Sequence, residues 1–281
     1  MGDKPVLEPE ALVEDVKSVF SGDTSALILG QDGSLWMIGS PPVSEHCYAD
    51  APVKLMDGVI SAGVSGTELL AVDSGGVLRR FSSSVREPEA LMSGVTQVWA
   101  GNGYWLAVDG DGTLWGAGQN NSKGQIGNGT YSAVDEPVSL LDDVVLASAG
   151  SRLSAAVKAD GSLWVWGEQG SNRPEKIADS VVYAEVSEHA DGFGILYITG
   201  TGRLYVLGYD LLSGEICQQA KSIADGICAV SSCSSHILAL KSDGSLVGWG
   251  SDELGALCAV QPAGDGMAAI PVDGIRLPDT Q

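Results

Sequence analysis

Short apolar triplets recur along the chain at Leu27-Ile28-Leu29, Leu70-Ala71-Val72, Leu106-Ala107-Val108, Ala155-Ala156-Val157, Leu196-Tyr197-Ile198 and Leu238-Ala239-Leu240. Each is followed by a polar turn and, four residues on, by a glycine: Gly33, Gly76, Gly112, Gly161, Gly202 and Gly244. A leucine stands two residues beyond every one of these glycines, at Leu35, Leu78, Leu114, Leu163, Leu204 and Leu246. Six beyond stands Gly39, Gly118, Gly167, Gly208 or Gly250, with Ser82 in the second copy. Two short apolar runs joined by a tight turn predict a β-hairpin. Asp32, Asp160 and Asp243 before their glycines suggest the Asp-Gly pair of a type I′ turn, whose central residues need positive φ.

Further upstream an apolar pair spaced by three predicts another strand: Val16 and Val19, Val59 and Ala62, Val95 and Val98, Val144 and Ala147, Ile227 and Val230. The fifth copy, from Val181, needs a four-residue insertion to align. Seven residues before this pair stand Pro9, Pro52, Pro88, Pro137 and Pro174, with Ala220 in the sixth copy. Proline suits an edge strand, which loses no central ladder bond. Each copy therefore supplies about four strands, and the glycines lie 43, 36, 49, 41 and 42 residues apart.

Four strands per roughly forty residues, repeated, is the pattern of a propeller rather than of a helical solenoid. In GSLWVWG, Leu163 and Val165 point one way and Trp164 and Trp166 the other, so both faces are apolar, as in a sheet stacked between neighbours. Trp36, Trp115, Trp164, Trp166 and Trp249 all fall on this strand and are expected to pack blade against blade. The expected fold is all-β: a single β-propeller of six blades with about four antiparallel strands each, seven blades being the alternative. It is placed at residues 9–277, with tails at 1–8 and 278–281. If each proline strand completes the preceding blade, the segments around Pro9 and Pro271 compete to close the ring.

The pattern of proline, valine pair, apolar triplet, aspartate-glycine and aromatic strand resembles the regulator of chromosome condensation repeat. The third copy carries that repeat's Asn-x-x-Gly-Gln-Ile-Gly ending at Asn121, Gly124, Gln125, Ile126 and Gly127, and the sixth keeps its histidine as His236. At the histidine position the other copies have Ser25, Glu68, Tyr104, Ser154 and Gly194. Founding members of the family have seven blades, whereas six copies are present here. The second copy also departs, with Arg79, Arg80, Phe81 and Ser82 in place of the closing Trp-Gly. The resemblance implies the fold strongly and a function weakly. Relatives include an exchange factor for a small GTPase, chromatin binders, ubiquitin-ligase modules and a bacterial β-lactamase inhibitor.

Composition narrows the partners. Fifteen Lys plus Arg against 36 Asp plus Glu give a net charge of −21, which repels nucleic acid and anionic membranes. No eighteen-residue apolar stretch and no signal peptide are visible, so a cytoplasmic monomer is the default, although a processed exported chain would look the same. Five cysteines (Cys47, Cys217, Cys228, Cys233 and Cys258) form no C-x-x-C pair and fit reduced thiols.

No nucleotide loop, nucleophile elbow or zinc-protease motif is present, and no catalytic, cofactor-binding or metal-ligating residue is predicted. The turn between the first two strands of each copy forms a rim offering Tyr104, Trp105, Arg152, His189, Asp191 and His236 as candidate partner-binding residues. Trp105 reads equally well as core. Residues 119–136 and 251–270 are the longest connections, where a rigid scaffold often places recognition, and plain length variation is the simpler reading. The expected function is a noncatalytic scaffold that recognises an unknown protein partner through blade-rim loops. The alternatives are a sugar-binding propeller using Tyr104, Trp105 and Tyr131, and an exchange- or inhibitor-type regulator of a protein.

Overall fold

The computed structural model describes residues 13–22, 24–39, 49–66, 68–81, 88–168, 170–189, 192–210, 215–233 and 236–250. These hold twenty-three strands, and no helix occurs among the described residues. The first sheet is β1 (Val16–Ser21), β2 (Ser25–Gly30), β3 (Leu35–Gly39) and β4 (Ala49–Met56), and the second is β5 (Val59–Val64), β6 (Leu69–Asp73), β7 (Leu78–Arg80) and β8 (Glu89–Met92). The third holds β9 (Val95–Gly101), β10 (Tyr104–Asp109), β11 (Leu114–Gly118) and β12 (Val134–Leu141). The fourth holds β13 (Val144–Ala149), β14 (Leu153–Lys158), β15 (Leu163–Gly167) and β16 (Glu175–Ala178). The fifth holds β17 (Val181–His189), β18 (Gly192–Thr199), β19 (Leu204–Asp210) and β20 (Glu215–Ala224), and the sixth β21 (Ile227–Ser232), β22 (His236–Lys241) and β23 (Leu246–Gly250). The fold is a six-bladed β-propeller of antiparallel sheets. The tails at 1–8 and 278–281, the closing segments around Pro9 and Pro271 and the 251–270 connection lie outside the described residues.

The proline strand is the fourth strand of the preceding sheet, at its edge. Pro52 lies where the register passes from Met37↔Val53 to Gly39↔Ala49, and Pro137 where it passes from Gly116↔Val138 to Gly118↔Val134. Both prolines therefore occupy a bulge, where a missing N–H breaks no ladder bond.

The hairpin turns differ from expectation in type. Gly33 donates its N–H to the Gly30 carbonyl while Gly30 donates to Ser34, and the same pair of bonds recurs at Gly76, Gly161, Gly202 and Gly244. These are three-residue loops in which the glycine takes positive φ, 76° to 85° across the six copies, and the preceding residue does not. That geometry is a type I turn closed by a left-handed residue, not a type I′ turn. In three copies the aspartate serves the turn through its side chain. Asp32 Oδ1 accepts from the Ser34 amide at 2.9 Å and hydroxyl at 2.6 Å, and Asp160 and Asp243 bind Ser162 and Ser245 alike. The serine hydroxyl first, then the amide, hold all three carboxyls below the usual range.

The chain divides into two compact units after Gly110. In both, successive blades are stitched by one repeated bond from the first residue of a blade to the turn glycine of the blade before. In the first unit Val59 donates to the Gly33 carbonyl and Val95 to Gly76; in the second Val144 donates to Gly112, Val181 to Gly161 and Ile227 to Gly202, all at 2.8–2.9 Å. The residue before each such donor has positive φ: Gly58, Gly94, Asp143, Ser180 and Gly226, with Asp15 in the same place before β1. Its carbonyl accepts from the same blade's turn, as Ser74 does with Gly58 and Ala159 with Asp143. At each of the five joints an aspartate or serine precedes the left-handed residue, at 57–58, 93–94, 142–143, 179–180 and 225–226.

Core packing is blade on blade. In the first unit Leu27, Leu29, Leu35 and Met37 pack on Val59, Ala62, Leu69 and Ala71. In the second, Ile195 and Tyr197 join the blade-four cluster around Leu153 and Leu163, while Leu196 and Ile198 join the blade-six cluster around Ile227 and Ile237. One strand thus buries both faces, as the apolar triplets require. The pairs spaced by three are buried from Val59 onward, whereas Val16 and Val19 are 37% and 60% exposed. Trp166 and Trp249 are buried, and Trp36, Trp115 and Trp164 are half-buried. Trp36 and Trp164 donate their indole N–H to Ser34 and Ser162 and lie under Lys54 and Lys158, so their packing is partly with their own hairpins.

Candidate functional site: a rim cluster on blades four and five

The four-residue insertion of the fifth copy lengthens one hairpin. β17 has nine residues and β18 eight, where β13 and β14 have six each, and pairing continues through Ser187↔Gly194, Glu188↔Phe193 and His189↔Gly192. The extension carries Glu188 and Phe193 to the first turn of blade four. There Glu188 Oε1 accepts from the Ser151 amide at 2.5 Å and hydroxyl at 2.6 Å. The Arg152 guanidinium sits 5.7 Å from the centroid of the Phe193 ring and donates to Glu168 Oε2 at 2.9 Å. Glu168 also takes Lys123 Nζ at 2.8 Å and gives its amide N–H to the Arg152 carbonyl at 2.9 Å. The Lys123 ammonium first, then Arg152, hold the Glu168 carboxyl below its ordinary range. Arg152 remains 50% exposed, a cation held in place yet open to solvent.

The other rim candidates are placed differently. Tyr104 is fully buried and Trp105 is 2% exposed, so neither presents an aromatic face to a partner or a sugar. Their burial follows from β10 being a central strand whose residues from Tyr104 to Val108 are all buried. Of the three aromatics named for sugar stacking, Tyr131 is exposed, at 61%. His236 is half-buried, its ring Nδ1 3.1 Å from Cys233 Sγ and its carbonyl accepting from the Cys233 amide, so it braces its own turn. His189 is described in its backbone alone, and Asp191 lies outside the described residues.

The 119–136 connection is a packed joint between blades three and four. Asn121 Nδ2 donates to the carbonyls of Thr130 and Ser132, and its Oδ1 accepts from the Ile126 amide, closing the loop on itself. Buried Gln125 presents its carbonyl to Ser154 Oγ at 2.7 Å and Trp166 Nε1 at 2.8 Å. A Cβ at Gly127 would meet Trp166 Nε1 at 2.6 Å, and its φ is 92°, so only glycine fits there.

Blade two replaces its lost Trp-Gly with ion pairs, Arg79 to Asp73 at 2.8 Å and Arg80 to Glu68 at 3.0 Å. Burial is the main influence on Glu68, raising its carboxyl, and Arg80 opposes it.

Behind the rim a cleft of about 410 Å³ lies between blades four and five. Leu153, Val165, Ile177, Ile195 and Leu207 form its floor, and Glu168, Glu175 and residues 217–220 its walls. Among the described residues no three His, Cys, Asp or Glu side chains gather to hold a metal ion.

No protein-family model matches the chain, and no curated protein matches it. Solved structures do. Human WBSCR16 aligns with a TM-score of 0.74 at 19% identity, over 88% of this chain and 79% of that one. Prp20p from Saccharomyces cerevisiae aligns with a TM-score of 0.73 at 17% identity, over 92% of this chain and 77% of that one. The fold is the RCC1-like propeller. Yeast RCC1 (Prp20) bound to Kap60 matches at a TM-score of 0.71 and 16% identity, over 92% of this chain and 75% of that one, and Prp20p is described with its binding to Gsp1p and histones. At these identities the likeness carries the RCC1-like fold and nothing finer.

Proposed function

We propose that this chain is a noncatalytic protein-binding scaffold, its propeller spanning residues 9–277, and that a protein partner meets the rim of blades four and five at Arg152. One observation carries this reading: the insertion in blade five supplies the two side chains, Glu188 and Phe193, that fix the turn bearing Arg152. A half-exposed arginine held over an aromatic ring and paired to a carboxylate is pre-organised, which lowers the ordering cost of binding. The RCC1-like fold supports the reading, because Prp20p is a protein binder on the same scaffold. His236 is a second, more distant rim position.

Affinity capture from native lysate with the wild-type chain and Arg152→Glu, compared by quantitative mass spectrometry, tests it. Proteins lost with Arg152→Glu support the rim as the contact surface. An unchanged set removes Arg152 from the site.

A further inference from the structure

We propose that the cleft between blades four and five is a docking groove for an extended peptide segment bearing an apolar side chain with a lysine or arginine two residues away, an inference that rests on the protein-binding reading above. The groove exists because blade four is cut short. In blade five the outer strand runs the whole height of the sheet, pairing to Asp210↔Glu215, whereas in blade four pairing stops at Val165↔Glu175. Above that point β15 meets a loop in place of an outer strand, Gly167 donating to the Ser171 carbonyl at 2.9 Å, and the space beside it is lined across the blade joint by β20. On the β20 side the register passes from Val206↔Lys221 to Gly208↔Cys217, so Gln218, Gln219 and Ala220 bulge opposite Leu207 alone and line the wall.

The lining chooses the occupant. Its volume of about 410 Å³ suits a few side chains. The floor is aliphatic, and Ile177 on β16 is 41% exposed at the mouth. Among the described residues the lining holds two carboxylates, Glu168 and Glu175, and no cation. Glu168 is engaged by Lys123 and Arg152, while Glu175 is exposed and makes no ion pair among the described residues, which leaves one carboxylate for an incoming cation. A chain of net charge −21 attracts basic segments at long range. β16 is the outermost strand of its sheet. A segment laid along this edge gains main-chain hydrogen bonds and points every second side chain at the groove, whose face Val165 shares with its cross-strand partner Glu175.

The test is fluorescence anisotropy of the full chain with a labelled hexapeptide whose second, fourth and sixth residues are valine, lysine and valine, with serine between them. Saturable binding is expected, at least tenfold tighter than to the same hexapeptide with glutamate in place of the lysine. Glu175→Lys and Cys217→Trp, the second filling the groove with Glu175 intact, should each weaken binding at least tenfold at unchanged melting temperature. Asp142→Lys changes net charge as Glu175→Lys does but lies on the turn before β13, and it should leave binding within twofold. Equal loss with Asp142→Lys, or none with Cys217→Trp, overturns the groove. Loss of lysate capture by Arg152→Glu without any peptide binding overturns the groove and leaves the rim standing, whereas peptide binding without rim-dependent capture does the reverse.

Discussion

Replacing Ser154 by alanine and Trp166 by phenylalanine, singly and together, measures how the 119–136 connection is held. Both donors converge on the Gln125 carbonyl, at 2.7 and 2.8 Å, and all three residues are buried. Ser154→Ala leaves that carbonyl one donor and should cost about 1 kcal/mol, the net worth of a neutral hydrogen bond. Trp166→Phe removes the other donor and part of a buried ring, for about 2–3 kcal/mol in all. The double variant leaves a buried acceptor with neither donor, a penalty of about 1–3 kcal/mol that neither single variant meets in full. The double loss should therefore exceed the sum of the singles by roughly 1 kcal/mol, against about 0.3–0.5 kcal/mol of scatter for independent sites. Urea unfolding followed by tryptophan-independent circular dichroism reads it, with about 2–4 °C of melting temperature per kcal/mol for a chain of this size. Strict additivity would mean that the two donors do not share one acceptor and that the loop is not docked as described.

Two further outcomes follow from charge. Burial raises the Glu185 carboxyl above its ordinary range, against opposing bonds from Ser232 and Tyr183. A raised folded pKa stabilises the fold below the unfolded pKa, near 4.3, and the benefit is lost as pH rises through the folded value. Glu185→Gln should then raise the melting temperature at pH 7–8 and leave it unchanged near pH 3.5; each tenfold difference in proton affinity between folded and unfolded chain is worth about 1.4 kcal/mol. A stabilisation equal at both pH values would assign the effect to packing instead. The turn carboxyls of Asp32, Asp160 and Asp243 are shifted the other way by their serines. Their contribution is present above an unfolded pKa near 3.9 and is lost as pH falls through the lower folded values. The triple asparagine variant should show a shallower acid limb in a melting-temperature profile from pH 5 to pH 2, and an identical limb would mean these turns do not report on the proton.

Much of the fold was legible in the triplets and turn glycines because a stacked blade must bury both faces of its central strand, and few other folds impose that every forty residues. Ile195 with Tyr197 and Leu196 with Ile198 show the rule in one strand, each pair serving a different neighbour. The turn type was not legible: Asp-Gly fits both a type I′ hairpin and a type I turn with a left-handed glycine, and the loop length decides between them. The left-handed residues before each first strand, such as Gly58, Asp143 and Gly226, were not read from the sequence, because small polar pairs are too common to mark a joint without its partner carbonyl. Of the proposed rim residues Arg152 is exposed at its turn, whereas Tyr104 is buried and Trp105 takes the core place that the sequence left open for it. An aromatic pair at a turn looks the same whether it faces solvent or starts a central strand, and β10 begins at Tyr104 itself. The insertion in copy five could be counted, but what it carries to blade four depended on the register of a hairpin with no counterpart in the other copies.

The most direct test of the rim at blades four and five is quantitative capture of partner proteins by the wild-type chain, Arg152→Glu and Lys241→Glu, the last altering charge by the same amount at the hairpin end of blade six. A set of proteins retained by wild type and Lys241→Glu and lost by Arg152→Glu is the predicted result. Equal retention by all three, or equal loss by both variants, would contradict a partner site built on Arg152.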